Sequence, residues 1–210
     1  MRSLPAGDKR LVQIVDAALA DATRRSGKWL ACRPGCTQCC VGVFGISALD
    51  ALRLQEGLRA LARENPARAK KVVERARQSA SRLTPEYPGN TRTGILARDA
   101  ESQARFEHFG NDEPCPALDP DTGLCDLYAA RPITCRSFGP PVRTEGGLGV
   151  CELCFQGASD SEIAACEMDV DPENLESELL REIGSNPNGA DQTTVTFALV
   201  TTEHPRKYPS

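Results

Sequence analysis

The chain has 210 residues, a formal charge of −4, 40% hydrophobic and 26% charged residues, a balance that excludes a disordered or fibrous chain and is long enough to bury an ordinary core. No run of about 18 apolar residues is present to span a membrane, and the opening MRSLPAGDKR has no apolar stretch behind its basic residue, which predicts no secretory leader and a cytoplasmic protein. Thiols stay reduced in that compartment, so ten cysteines read as metal ligands before they read as disulfides.

Residues 8–25 carry Leu11, Ile14, Val15, Ala18, Leu19 and Ala22 on one face, which predicts an amphipathic helix ended by Ser26-Gly27. Trp29, the single tryptophan, leads into Cys32-Arg-Pro-Gly-Cys36-Thr-Gln-Cys39-Cys40 and reads as a packing lid. Pro34-Gly35 breaks any helix through this stretch, so a turn near Cys36 is expected to set Cys36, Cys39 and Cys40 on one side. Val41–Ile46 then runs extended. Ser47 and Asp50 make a cap for a helix over 48–64 that buries Leu49, Leu52, Leu58 and Leu61. Asn65-Pro66 restarts a helix over 66–82 with Ala69, Val72, Val73, Ala76 and Ala80 inward. Its other face holds Arg68, Lys70, Lys71, Arg75, Arg77 and Arg82, without the interleaved aromatics of a nucleic-acid surface. Residues 84–94 read as a loop and 95–109 as a weaker helix with Ile95, Leu96, Ala100, Phe106 and Phe109 inward and His108 near its end.

From Pro114 the pattern shortens. Cys115–Cys125 predicts two extended pieces about a tight turn; Asp119, Asp121 and Gly123 start like a calcium loop but lack its remaining ligands. One helical turn opened by Pro132 is expected at 128–136. Residues 140–154 read as an irregular hairpin bending at Glu145-Gly146-Gly147, with Cys151 and Cys154 on its return limb. GGLGV at 146–150 is not a dinucleotide fingerprint, since no helix with a following acidic residue supports it. A short acidic helix at 160–166 and another from Asp171-Pro172 to Ile183, stopped by Gly184, follow. Residues 193–202 are apolar and β-branched and fit either strand or helix; the last eight residues read as a tail.

Charge is uneven. Residues 1–110 hold 19 basic and 11 acidic residues, a net of +8, and residues 111–210 hold 6 and 18, a net of −12. The simplest expectation is that the halves pack together and neutralise each other, which makes nucleic acid an unfavoured partner and leaves a protein partner open.

The cysteine spacing is C-x3-C-x2-C-C, then C-x9-C-x9-C after 74 residues, then C-x2-C, and finally Cys166. Close-spaced knuckles completed from a distant segment are the pattern of a thiolate metal site. His108 and His204 are the only imidazoles, so sulfur dominates any site, which favours zinc, iron or an iron–sulfur cluster over magnesium or calcium. The number of thiols exceeds one four-ligand site, leaving either two sites or one site with spare thiols. Arg33, Arg131 and Arg136 lie beside candidate ligands and are placed to offset thiolate charge. No Ser/His/Asp set, phosphate loop or convergent carboxylate pair points to hydrolysis or phosphoryl transfer.

Cys36-Thr-Gln-Cys39-Cys40, Cys115-Pro, and Gly123-Leu-Cys125-Asp-Leu-Tyr128-Ala-Ala-Arg131-Pro132-Ile-Thr-Cys135-Arg136-Ser-Phe138 together resemble the YkgJ-type cysteine-cluster family, described as zinc- or iron-chelating domains with a CxxCxxCC signature. The resemblance covers about residues 30–140. It implies chelation by Cys36, Cys39, Cys40, Cys115, Cys125 and Cys135, with Cys32 a usual extra; Cys151 and Cys154 join on spacing alone. Flagellin lysine methylases look similar over the same cysteines, but no methyl-donor site accompanies them here. The expected fold is mainly α, with helices packed around a cysteine-rich, metal-bound lobe of short irregular β elements. Residues 1–184 are expected to form one domain and 185–210 a C-terminal extension. Three roles fit a thiolate centre: an iron–sulfur redox or protein-modifying enzyme, a structural zinc module for protein interaction, or metal storage and delivery.

Overall fold

Helices dominate the computed structural model, which describes residues 3–33, 35–144, 147–186 and 191–200; every strand in it is two or three residues long. Helix α1 spans Asp8–Ser26 and buries Leu11, Val15 and Ala22, as the periodicity predicts. Strand β1 (Gly45–Ile46) leads into α2 (Ala48–Glu64), whose start is capped by the Ser47 hydroxyl accepting from the Asp50 N–H. The Asn65 side chain likewise accepts from the Arg68 N–H and starts α3 (Pro66–Leu83). Within α2 the buried leucines are Leu49, Leu54 and Leu58, whereas Leu52 is half-buried.

Two expectations require correction. Residues 95–109 are not one helix. Gly94, at φ +67°, reverses the chain so that β3 (Ile95–Leu96) pairs back on β2 (Gly89–Asn90), inside the stretch read as loop. Asp99 then accepts from the Ser102 N–H and starts a short α4, Ala100–Phe106. Leu96 and Phe109 are buried nonetheless, with Leu83, Tyr87 and Phe197. The segment left undecided between strand and helix is both: β8 (Thr193–Thr194) pairs antiparallel with β1, and α8 (Val195–Val200) follows. Residues 201–202 of that segment, the tail, His204 and the Glu145-Gly146 bend lie outside the described residues.

Between these regions, β4 (Leu118–Asp119) and β5 (Leu124–Cys125) form the expected small hairpin. Its bend is an aspartate turn, with Asp119 accepting from the Asp121 N–H at 3.2 Å and the Thr122 hydroxyl at 2.9 Å. A 3-10 turn (Tyr128–Ala130) precedes α5 (Ile133–Arg136). The hairpin of β6 (Val142–Thr144) and β7 (Gly147–Gly149) comes next, then α6 (Asp160–Ala165), opened by a Ser159/Glu162 capping box. Helix α7 begins at Leu175, later than expected, because Asp171 caps from a distance, its carboxylate taking the N–H groups of Leu175 and Glu176 at 2.9 and 2.8 Å.

The main core lies among α2, α3 and α8, where Leu54, Val72, Ala76, Ala198 and Leu199 are almost wholly enclosed. A second core joins α1 and α7 to the start of α2 through Leu11, Val15, Leu49, Leu179 and Leu180. An ion set that sequence reasoning missed ties this region together: Arg53 reaches Asp8 at the start of α1 and Asp50 in the first turn of its own helix. All three side chains are under a tenth exposed. Asp50 also accepts from the Ile133 N–H at 2.9 Å, so the same carboxylate hangs α5 from the start of α2. Helix α2 comes close to the 128–130 turn at Gly57, where a Cβ would lie 2.3 Å from that of Ala130. A glycine costs helix propensity there and is kept for the close approach.

Polar contacts join the two charge-opposed halves. Arg10 pairs with Glu173 at 2.5 Å, Arg82 with Glu113 at 2.7 Å, and Arg25 donates to the carbonyls of Ala165 and Glu167.

Two predictions follow from the buried charges. Arg53→Ala strands two enclosed carboxylates and is expected to cost about 3–5 kcal/mol in urea unfolding. Glu176 accepts from the Ser47 hydroxyl at 2.9 Å, and burial, then the nearby Asp50 carboxylate, push its pKa above the usual range. Ionised Glu176 is therefore a cost that appears as pH rises through its folded pKa and is absent below its unfolded one, where both states are protonated. Glu176→Gln is expected to raise Tm at neutral pH by up to about 2 °C and to leave it unchanged below about pH 3.

Candidate metal centre

Sulfur chemistry sets the terms of the site: thiolates are the ligands, and crowded thiols resist ionising together. All ten cysteines are free thiols. Electrostatic interaction among them is seen in two neighbourhoods, one around Cys39 and one around Cys32.

The first set is built where residues 40–43 are stitched to 110–115. The Cys115 N–H donates to the Cys40 carbonyl at 2.8 Å, Gly42 N–H to Glu113 at 2.9 Å, and Val43 N–H to Gly110 at 3.1 Å. The β4–β5 hairpin folds Cys125 back over this seam, and α5, held by Asp50, presents Cys135. The thiols of Cys40, Cys115, Cys125 and Cys135 all interact electrostatically with that of Cys39. A hydrogen bond from the Cys40 thiol brings Cys39 down to about 6, helped by the charge of Arg131, and the same bond pushes Cys40 upward. Burial raises Cys115 to about 12 and raises Cys125 and Cys135 as well.

Arg131 belongs to this set. Its charge acts on both Cys39 and Cys125, its guanidinium lies 4.1 Å from the centre of the Tyr128 ring, and its Nε is the only buried side-chain nitrogen or oxygen without a partner among the described residues. Arg136, expected beside Arg131 as a charge donor, is committed elsewhere. It holds Asp16 at 2.7 and 2.9 Å and the carbonyls of Ala129 and Arg131, so it fixes the turn that carries Cys135. Arg33 is exposed, and its carbonyl accepts from the Cys36 N–H.

The second set contains Cys32, Cys36, Cys151 and Cys154. Cys32 hydrogen-bonds Cys154 and interacts with Cys151 and Cys36; Cys151 interacts with Cys154 and Cys36. Backbone pairing aligns the two segments: the Phe155 N–H donates to the Trp29 carbonyl at 2.8 Å and the Ala31 N–H to the Cys154 sulfur at 3.4 Å. The Cys154 N–H closes a turn on Cys151 at 2.8 Å. Phe155 then takes φ +56°, a left-handed conformation that costs a non-glycine residue on the order of 1 kcal/mol. Gly139 covers Cys32; a Cβ there would lie 2.9 Å from the sulfur. Partial burial of the sulfur, then Cys154, raise Cys32 to about 12. Trp29, Leu30, Phe155 and Cys166 pack around this set, so Trp29 does serve as a lid.

His108 is exposed at the end of α4. Among the described residues, no three His, Cys, Asp or Glu side chains are drawn together closely enough to hold a metal ion as they stand. The donor chemistry nevertheless fits a thiolate centre: backbone N–H groups point at Cys115, Cys125 and Cys154, and Arg131, whose charge acts on Cys39 and Cys125, has a donor to spare.

Sequence reasoning missed Asp126, the residue that holds the cysteine hairpin down. Its side chain is 2% exposed and is gripped by Arg68 and Arg75 of α3, while Arg75 also donates to the Pro116 carbonyl at 2.9 Å. Two arginines of the basic face of α3 thus clamp the hairpin, while Lys70, Lys71 and Arg77 stay exposed. The signal was present as an acidic residue beside a cysteine and arginines seven apart on one helix face.

A cysteine-rich chelating protein is the class that this fold and donor set define. The model of the CxxCxxCC family, "Putative zinc- or iron-chelating domain", matches residues 31–154, and the chain belongs to that family. The match reaches further than the resemblance over 30–140 and takes in Cys151 and Cys154, leaving Cys166 outside. No curated protein and no solved structure matches the chain. No described helix is long and apolar enough to cross a membrane.

The clamp yields a prediction. Asp126→Asn weakens the grip of Arg68 and Arg75 on the hairpin and is expected to cost about 1–3 kcal/mol in thermal or urea unfolding.

Proposed function

We propose that the protein coordinates zinc or iron in the cytoplasm through clustered cysteine thiolates. Cys39, Cys40, Cys115, Cys125 and Cys135 act under the charge of Arg131, with Cys36, Cys32, Cys151 and Cys154 as further ligands. The observation that carries the reading is the backbone pairing that sets Cys40 against Cys115 and Cys125 against Leu118, with the helix of Cys135 held by Asp50, beside an arginine whose buried Nε has no partner. Four thiolates around a divalent ion leave about two negative charges to be offset; Arg131 supplies one cation beside them. When bound, the metal holds these segments together and makes folding and chelation one event. The first set offers one thiol more than a tetrahedral ion or a cubane cluster takes. That surplus is what an iron–sulfur redox or protein-modifying centre would use.

A structural module that docks a protein is a second reading, and the surface favours it. The exposed large hydrophobic residues among those described are Val41, Leu124, Tyr128, Phe138, Val150 and Leu153. Each lies within three residues of a cysteine in sequence.

Anaerobic purification followed by visible absorbance and by zinc, iron and sulfide analysis tests the reading. Zinc without a visible band removes the iron–sulfur alternative, and iron with matching sulfide removes zinc. Cys135→Ser is expected to lower bound metal and stability together, whereas Cys166→Ala leaves metal content unchanged. Full metal retention by Cys135→Ser contradicts the ligand assignment.

A further inference from the structure

Between the start of α2, the short helix α5 and α7 lies a cavity of about 300 Å³, and no cysteine is among the described residues that line it. That volume is at the lower end for small-molecule sites and has room for about ten waters. Ala48, Ile133 and Leu180 give the cavity an apolar wall. Three carboxylates, Asp50, Glu176 and Asp191, face that wall, and no lysine or arginine is among the described lining residues.

The three carboxylates are held differently. Asp50 is enclosed and satisfied, with Arg53 on it and the Ile133 N–H at 2.9 Å. Glu176 and Asp191 are each fixed by a serine on one oxygen. The Ser47 hydroxyl donates to Glu176 Oε1 at 2.9 Å, and the Ser185 hydroxyl to Asp191 Oδ2 at 2.6 Å, where the Asn186 N–H also donates at 3.3 Å. Their second oxygens, Glu176 Oε2 and Asp191 Oδ1, accept from no donor among the described residues. Arg53, whose charge reaches Glu176, is already shared between Asp8 and Asp50.

We propose that this cavity binds a small aliphatic amine in its protonated form, with Glu176 and Asp191 as its counter-ions. The proposal goes beyond the chelation reading and does not depend on it.

Charge and hydrogen bonding select this class of ligand. A carboxylate withdrawn from water without a cation is a cost to the fold, and burial, then Asp50, already push the Glu176 pKa upward. An ammonium supplies the missing positive charge and three N–H donors, and ionised carboxylate oxygens can only accept. An anion would meet three carboxylates, and a neutral ligand would leave their charge uncompensated. A metal ion fits less well, because among the described residues no three carboxylate, imidazole or thiol side chains are close enough to hold one. The wall of Ala48, Ile133 and Leu180 suits the methylenes of an aliphatic chain. The two serines hold the carboxylates in place before the ligand arrives, which lowers the cost of ordering the site on binding.

The probe is putrescine, a diamine protonated at both ends at neutral pH, compared with the terminal butanediol, its neutral counterpart of the same length. Binding to the full-length protein is followed by NMR titration. Putrescine is expected to bind saturably, with shifts centred on Thr134, Leu180 and Gln192, which line the cavity. The diol is expected to bind at least about tenfold more weakly. Glu176→Gln and Asp191→Asn are each expected to weaken putrescine by about tenfold, whereas Glu178→Gln, exposed on the same helix, leaves it unchanged. Glu176→Gln removes a buried charge and keeps the shape of the side chain, so it is expected to fold and decides the test even if Asp191→Asn does not. Equal affinity for the diol, unchanged putrescine affinity in folded Glu176→Gln, or no saturable shift up to about 10 mM putrescine overturns the proposal. None of these results bears on metal content, so chelation stands or falls separately.

Discussion

Thiols packed against one another can shed their protons together only where a positive charge receives the electrons they keep. In this protein thiols from distant segments come near enough to act on one another electrostatically. Burial and mutual repulsion drive Cys32, Cys40, Cys115, Cys125, Cys135 and Cys151 toward the protonated form, while Cys40 and Arg131 stabilise the charge of Cys39. A divalent or cluster-bound cation reverses that balance at a stroke. The helices, the arginine clamps and the buried ion set are arranged so that the chain brings these thiols together.

The scaffold does this with two devices. Asp50 is placed by the first turn of α2, fixed by Arg53 and bonded to Ile133, so that the position of Cys135 is referred to the helical core. Arg68 and Arg75, one face of α3, hold Asp126 and thereby the neighbour of Cys125. Each device centres on a buried carboxylate, one accepting a backbone N–H from a distant segment and the other gripped by two arginines of another helix. Such contacts contribute little net stability relative to apolar packing but are costly to break singly. They fix position, which a metal site requires.

Much of this was legible in the sequence. The helices of residues 8–26, 48–64 and 66–83 follow from apolar spacing and from Ser47 and Asn65 as caps, all local signals. The hairpins at 118–125 and 142–149 follow from turn residues. The stretch after Gly94 was misread because a left-handed glycine and a strand pairing two residues long leave almost no pattern in sequence. Residues 193–200 were ambiguous because burial on all sides removes periodicity, and both conformations occur there in succession. Within the site, the close spacing marked the cysteines, and Arg131-Pro132 marked the arginine that faces them. Which cysteine meets which was not legible, since it depends on backbone pairing between residues more than 70 and more than 120 positions apart. Arg136 carries the same local signal as Arg131 but is directed by Asp16, a residue on another helix.

The central claim is that the bound metal is held by sulfur. X-ray absorption at the metal edge of the purified protein measures this directly. The account predicts a first shell of sulfur alone, at about 2.3 Å for zinc; a shell made up mainly of nitrogen or oxygen would contradict it.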